Sequence, residues 1–315
     1  MGKTKNRNIW IILKISISLI FLLFVLVKIG YKQIINTFLK INPLILIPTI
    51  IILLLNLILA NIRLLILLRV IKPKFPFLRL FKHYLISWAI SMFTPAKLGL
   101  FSIVYFLKKE KIKLGESALV FIIDRIIALV TLLIFSSFSL FILFKIKEDI
   151  VAYIIMLAIF ALSLAVGSYI ILSDFGKKLI KRYILKKYSK SFEGFSRAQL
   201  IISKNKKSIL NNFVANVIQW STNALQVHIV FLGFHQKIGF FHVLTIKSLL
   251  NIISFIPISL SGLGIREASA IFFFSKLGIE EKITATTFFF LLIILYLLAF
   301  AILIAYPYKN RKTKD

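Results

Sequence analysis

Runs of roughly 20 apolar residues recur along this chain, each long enough to cross about 30 Å of hydrocarbon as a helix. Two further apolar stretches are broken in the middle. The first break is Thr94-Pro95-Ala96-Lys97-Leu98-Gly99. The second, Ser259-Leu260-Ser261-Gly262-Leu263-Gly264, follows Pro257 and runs directly into Ile265-Arg266-Glu267. In water these would be ordinary loops. In lipid, broken backbone and charge persist only where protein or a wet cavity surrounds them.

Composition supports the membrane setting. The chain is 59% hydrophobic with a mean hydropathy of +0.94, far above a soluble domain. No polar segment is long enough to bury a core, so one integral membrane domain over residues 1–315 is expected. The absence of cysteine excludes disulfides, thiol catalysis and Cys-ligated metals. A net charge of +30 raises nucleic acid as a partner, but the basic residues lie in short runs between apolar spans. That pattern is the positive-inside bias together with attraction to anionic headgroups, and nucleic acid is excluded.

Lys3, Lys5 and Arg7 precede an apolar run from Ile9 to Val27, with Lys14 snorkelling to the headgroups. No A-x-A cleavage pattern follows, which predicts an uncleaved first span. Further spans are expected at about Leu44–Leu68, Glu116–Phe144, Ile150–Leu172, Ser208–Phe231 and Ile283–Tyr306. Small residues Ala158, Ala161, Ala165 and Ser168 on the fourth span signal close helix packing. The arms beside each break are too short to cross alone, which predicts two re-entrant helical hairpins. Residues 173–207 carry eleven Lys or Arg and read as a cytoplasmic segment lying on anionic headgroups.

Counting charges tests the topology. With the N-terminus inside, cytoplasmic segments collect 27 of the 41 Lys and Arg. External segments hold only eight: Lys28, Lys32, Lys40, Lys145, Lys147, Lys237, Lys276 and Lys282. The bias predicts a multi-pass cell-membrane protein with both termini cytoplasmic. Three full spans separate the two breaks, so they enter from opposite faces. The halves, roughly 1–147 and 150–308, also resemble each other. Pro95 and Pro257 are 162 apart, Gly99 and Gly264 are 165 apart, and Lys113-Leu114-Gly115 precedes Lys276-Leu277-Gly278 by 163. The expected fold is therefore an all-α polytopic membrane protein with about six transmembrane helices plus two re-entrant hairpins in an inverted repeat. Paired interrupted segments of this kind point to a translocation site near the midplane.

The chemistry gathers at the breaks and on two spans. A half-helix starting at Gly264 would turn free N–H groups and a positive dipole end inward, toward an anion such as a lipid phosphate. Arg266 can add a bidentate grip, with Glu267 as its organiser or a gate. Ser261, Gly262 and Gly264 would shape the approach. The alternative is a buried ion pair that only holds the hairpin together. Asp124-Arg125 admits the same two readings, with partners expected on other segments, because helix neighbours do not face each other. Arg63 and Lys97 are candidate partners for Asp124 or for ligand, and Asn56 shares a helical face with Arg63. On the fifth span Asn212, Asn216, Gln219, Asn223 and Gln226 form one stripe, either interhelical glue or the wall of a polar cavity.

Enzyme signatures are weak. Gly262-x-Gly264-x-x-Glu267 is not a dinucleotide fingerprint and follows no βα unit. His83, His228, His235 and His242 lack an H-E-x-x-H arrangement, so no metal, cofactor or catalytic residue is expected.

Several motifs together resemble the flippase-like transmembrane domain of lysylphosphatidylglycerol synthases. They are Arg63-Leu64-Leu65, Thr94–Gly99, Asp124-Arg125 and Gly262-Leu263-Gly264-Ile265-Arg266-Glu267-Ala268. Leu100 and Ala128 stand where that family usually carries acidic residues. The resemblance implies a translocator of polar lipid between leaflets. It also implies that the soluble aminoacyl-transfer domain is missing, since the chain stops at Asp315.

The expected function is movement of a phospholipid or lipid-linked polar headgroup across the bilayer, with anionic or phosphate-bearing membrane lipids as partners. Two other readings stand beside it. One is a small-solute secondary transporter in which Asp124 or Glu267 carries a coupling proton. The other is a non-transporting membrane subunit of a separately encoded lipid-modifying enzyme; a homo-oligomer is a further expected partner state.

Overall fold

Continuous apolar runs dictate helices, and every regular element among the described residues is helical. The computed structural model describes residues 30–39, 41–144, 194–256, 259 and 261–306, with isolated positions at 27 and between 151 and 165. The expected spans at Ile9–Val27 and Ile150–Leu172, Pro257, Leu260, most of the basic 173–207 segment and the basic tail lie outside the described residues.

Helix α1 (Tyr31–Phe38) leads through a 3₁₀ turn at Pro43–Ile45 into α2 (Leu46–Ile71). Asn42 starts that turn, its side chain accepting from Leu44 N at 3.0 Å. Pro43 sits at the first turn, where no N–H is needed. The first broken segment follows as α3 (Phe77–Met92), a 3₁₀ turn at Leu98–Phe101, and α4 (Ser102–Lys109). Then comes α5 (Leu114–Phe144). The second half repeats this order as α6 (Phe195–Lys204), α7 (Lys206–Gly233), α8 (Phe240–Phe255), α9 (Ile265–Ser275) and α10 (Glu281–Ala305).

A shift of 163 positions carries Phe77–Met92 of α3 onto Phe240–Phe255 of α8, end to end. The same shift separates Asn56 from Gln219, which touch across the α2–α7 contact. Packing is reciprocal as well. Helix α5 packs on α6 and α8, and α10 packs on their counterparts α1 and α3. The shift pairs Gly99 with Gly262, not with Gly264 as the 165-residue spacing proposes.

Among the described residues three stretches are long and apolar enough to cross a membrane: Pro43–Ile71, Leu114–Ser139 and Glu281–Ala305. Helix α7 has 28 residues, about 42 Å of helix, and packs along α2. Its amide stripe lowers its hydropathy but faces inward, with Asn212, Asn216, Gln219 and Gln226 buried. Meanwhile Leu297, Phe300 and Ile304 of α10 are exposed. Charge inside and leucine outside reverses the order of a water-soluble protein. The chain is an all-α polytopic membrane protein.

Apolar packing forms two main clusters, each drawing residues from both halves. Leu64, Leu80, Leu107 and Leu119 join α2 to α5 in one cluster, and Val227, Leu250, Phe274 and Phe288 join α7 to α10 in another. At the base of the first broken segment, Glu110 clasps α3. Its Oε1 lies 2.9 Å from His83 Nε2, and its Oε2 accepts from Arg79 at 3.1 Å. Partial burial pushes the Glu110 carboxyl up, but the bonds from His83 and Arg79 outweigh it and hold the pKa below its ordinary value.

Candidate functional site: a cationic cavity between the two breaks

Both breaks bend because their backbones leave the helical region. In the first, Ala96 and Lys97 take positive φ values of 49° and 56°, conformations that L-residues adopt at a cost. The turn is held by Gly99 N donating to Thr94 Oγ1 at 2.7 Å. Gly99 is needed for contact: a Cβ there would meet Ser91 N at 2.6 Å. In the second, Ser261, Gly262 and Gly264 have positive φ, and a Cβ on Gly262 would lie 2.6 Å from Ser254 Oγ. Each break therefore folds its second arm onto the first eight residues back, at Ser91 and at Ser254.

The bends deliver Lys97 and Arg266 to one cavity. It encloses about 950 Å³ counting the space at its mouth, and α2, α3, α5, α7, α8, α9 and α10 contribute to its wall. Five cations line it: Arg63, Lys97, Arg125, Lys247 and Arg266. Asn56, Gln219, Asn223, Gln226 and Asn251 add amides, and Tyr84, Trp88, Trp220 and Phe255 add rings.

Two carboxylates stand behind this wall, both with no exposed surface. Asp124 Oδ1 lies 3.2 Å from Arg63 Nε and accepts from Asn212 Nδ2 at 3.2 Å. The Arg63 Nε contact is charge pairing without hydrogen-bond alignment, since among the described residues that N–H has no aligned acceptor. Arg63 NH1 instead donates to Asn216 Oδ1 and, at 3.1 Å, to Gln219 Oε1. Its carbonyl accepts from Asn212 Nδ2 at 2.7 Å. One guanidinium thus ties α2 to α5 and α7.

Asp124 also receives Arg125, whose NH2 lies 2.5 Å from Oδ2. The expectation that Asp124 and Arg125 find their partners on other segments holds for Asp124 with Arg63 and is corrected for the Arg125–Asp124 contact. A guanidinium on its long stem folds back over one helical step, although the Cβ atoms diverge. Arg266 does the same, donating to Glu267 Oε1 from Nε at 3.0 Å and from NH2 at 2.6 Å. Glu267 Oε2 accepts from Gly264 N at 2.6 Å. Glu267 is therefore both helix cap and counter-ion, which orients Arg266 at the start of α9.

Lys97 and Lys247 differ from the arginines. Among the described residues neither has a carboxylate within ion-pair distance. Lys97 Nζ lies 5.7 Å from the Phe255 ring and Lys247 Nζ 5.3 Å from Phe288. Such contacts contribute about 0.5–2 kcal/mol, against several kcal/mol to desolvate an ammonium. The balance must come from water in the cavity or from an anionic ligand.

Of the residues singled out in the sequence, Arg63, Lys97, Arg125, Gln219, Asn223 and Arg266 reach the cavity wall. Asp124, Asn216 and Glu267 brace them from behind, and Ser261, Gly262 and Gly264 form the bend. The amide stripe divides by depth. Asn212 and Asn216 are interhelical glue, bonded to Arg63 and Asp124, while Gln219, Asn223 and Gln226 line the cavity. Sequence reasoning missed Lys247, Asn251, Tyr84 and Trp88. The available signal was Lys247 with Asn251 one turn on, the only charge inside the α8 arm.

The family described as the lysylphosphatidylglycerol synthase TM region matches residues 11–302 of the chain. The chain belongs to that family. No well-characterised protein is similar enough in sequence to count as a match. For a member of the lysylphosphatidylglycerol synthase TM-region family, a polar cavity inside an apolar bundle fits a membrane domain that handles lipid.

Proposed function

We propose that the protein translocates a phosphate-bearing lipid headgroup between the leaflets of the cell membrane, the acyl chains staying in lipid. The observation that carries this reading is the cavity itself: five cations, reached from two broken helices, inside an otherwise apolar bundle. Arg266 is the principal headgroup contact, aimed by Glu267. Arg125 and the amides of α7 and α8 line the path. The 163-residue correspondence supports two re-entrant hairpins of opposite orientation meeting at the cavity, as alternating access requires. Both termini are cytoplasmic in this scheme, and the domain performs no covalent chemistry. Homo-oligomers or a separately encoded lipid-modifying enzyme are compatible partners.

A proton-coupled solute transporter would need a carboxylate free to take up a proton. Asp124 and Glu267 are each held by guanidinium groups, which favours the lipid reading. The test is scrambling of a fluorescent anionic phospholipid in reconstituted vesicles. Arg266→Ala is expected to abolish it; transport at the unsubstituted rate would sink the assignment.

A further inference from the structure

The charge of the cavity narrows what it takes. Among the described residues five basic side chains face it and two carboxylates stand behind, a formal excess of three positive charges. Asp124 is shared by Arg63 and Arg125, and Glu267 belongs to Arg266. Two of those three formal charges are therefore at Lys97 and Lys247, which line the same cavity wall as Arg266. Lys247 is itself more than nine-tenths buried. Like charges gathered in a low-dielectric enclosure repel, so the resting site favours a ligand that brings more than one negative charge.

A second observation points the same way. Trp220 is more than nine-tenths buried and sets its ring on the cavity wall, with the Arg63 guanidinium 5.9 Å from the ring centroid. The polar side of the site is one-sided as well. Positions 84 and 88 of α3 are Tyr and Trp, while their counterparts 247 and 251 on α8 are Lys and Asn. One wall offers rings and the other offers donors, which suits a compact charged group with an apolar remainder.

We infer that the ligand is a phosphomonoester or diphosphate group, carrying two or more negative charges, held between Lys97, Lys247 and Arg266. A phosphodiester headgroup, with a single charge, is the poorer ligand. This inference deepens the translocator reading and rests on it for the lipid as source. A free phosphate compound shares the same chemistry, so the experiment separates the two.

Two of the three tryptophans, Trp88 and Trp220, line the cavity and report occupancy by fluorescence. The purified full chain in detergent is titrated at pH 8 with short-chain phosphatidic acid, short-chain phosphatidylglycerol and inorganic pyrophosphate. Phosphatidic acid is expected to bind at least about ten-fold more tightly than phosphatidylglycerol. Lys97→Met and Lys247→Met each narrow that ratio by roughly three-fold or more, and Lys247→Arg restores it. Recovery by Lys247→Arg separates loss of charge from loss of fold. Equal affinity for the two lipids, or a ratio indifferent to both lysines, overturns the inference and leaves the scrambling assay to judge translocation. Pyrophosphate binding without either lipid upholds the phosphate chemistry and overturns the lipid source, and with it the translocator reading. Silence from all three ligands overturns the inference outright.

Discussion

Asp124 is a buried carboxylate shared by two guanidinium groups. It is fully buried, and it neutralises Arg63, itself 2% exposed, from a different helix. Removing one partner of a buried pair leaves the other charged and unpaired, at about 3–5 kcal/mol. Asp124→Asn is therefore expected to lower unfolding free energy in detergent by that order, read from denaturant titration. The double variant Asp124→Asn/Arg63→Met removes the orphaned charge and should recover much of the loss. A cost below about 1 kcal/mol for the single change would mean that Asn216 and Gln219 alone satisfy Arg63. The pair was only half legible in sequence. Charges inside apolar spans announce themselves, and Arg63 is a natural candidate partner for Asp124. What periodicity cannot show is a guanidinium curling back onto its own neighbour, as Arg125 and Arg266 both do, because side-chain reach exceeds Cβ geometry. Lys247 escaped for another reason. One lysine in a 16-residue helix makes no motif, and only the folded α8 brings it to the cavity that Lys97 and Arg266 also line.

At the scale of the element, each broken segment depends on one glycine contact. A Cβ on Gly99 would sit 2.6 Å from Ser91 N and 2.7 Å from Ser91 Cα, backbone atoms that cannot step aside. A Cβ on Gly262 would sit 2.8 Å from Ser254 Cα, at a residue whose φ is also positive. Overpacking of this kind costs about 1–3 kcal/mol. Gly99→Ala and Gly262→Ala are each expected to lower the unfolding midpoint in detergent, with Gly262→Ala the worse for its added backbone strain. Gly278→Ala is the internal comparison, because a Cβ there meets nothing within 4 Å and only its φ of 82° opposes the change. If all three behave alike, close approach of the arms is not what those glycines provide. The breaks themselves were plain in the sequence, since proline and glycine punctuate apolar runs. The pairing of glycines was not. Spacing between conspicuous residues matched Gly99 to Gly264, whereas the helix ends and the clash partners Ser91 and Ser254 match it to Gly262.

Across the whole molecule, the 163-residue shift relates helix to helix and packing partner to packing partner, yet it leaves the cavity chemically lopsided. Such a relation can arise from two halves in the same orientation or in opposite orientations, and only the second gives alternating access around a fixed site. Charge bias favours opposite orientation. Lys113, with Lys108, Lys109 and Lys111, closes the first broken segment in a basic cluster, while its counterpart Lys276 stands in a sparser one. Both lysines are exposed, and the chain contains no cysteine, so single cysteines placed there are unambiguous reporters. Lys113→Cys and Lys276→Cys are expected to react with a membrane-impermeant maleimide from opposite sides of the membrane. In intact cells the Cys at 276 is modified and the one at 113 is protected until the membrane is opened. Labelling of both from outside, or protection of both, would place the two broken segments on one face and remove the inverted repeat. The cavity would then open by some motion other than an exchange of roles between the two halves.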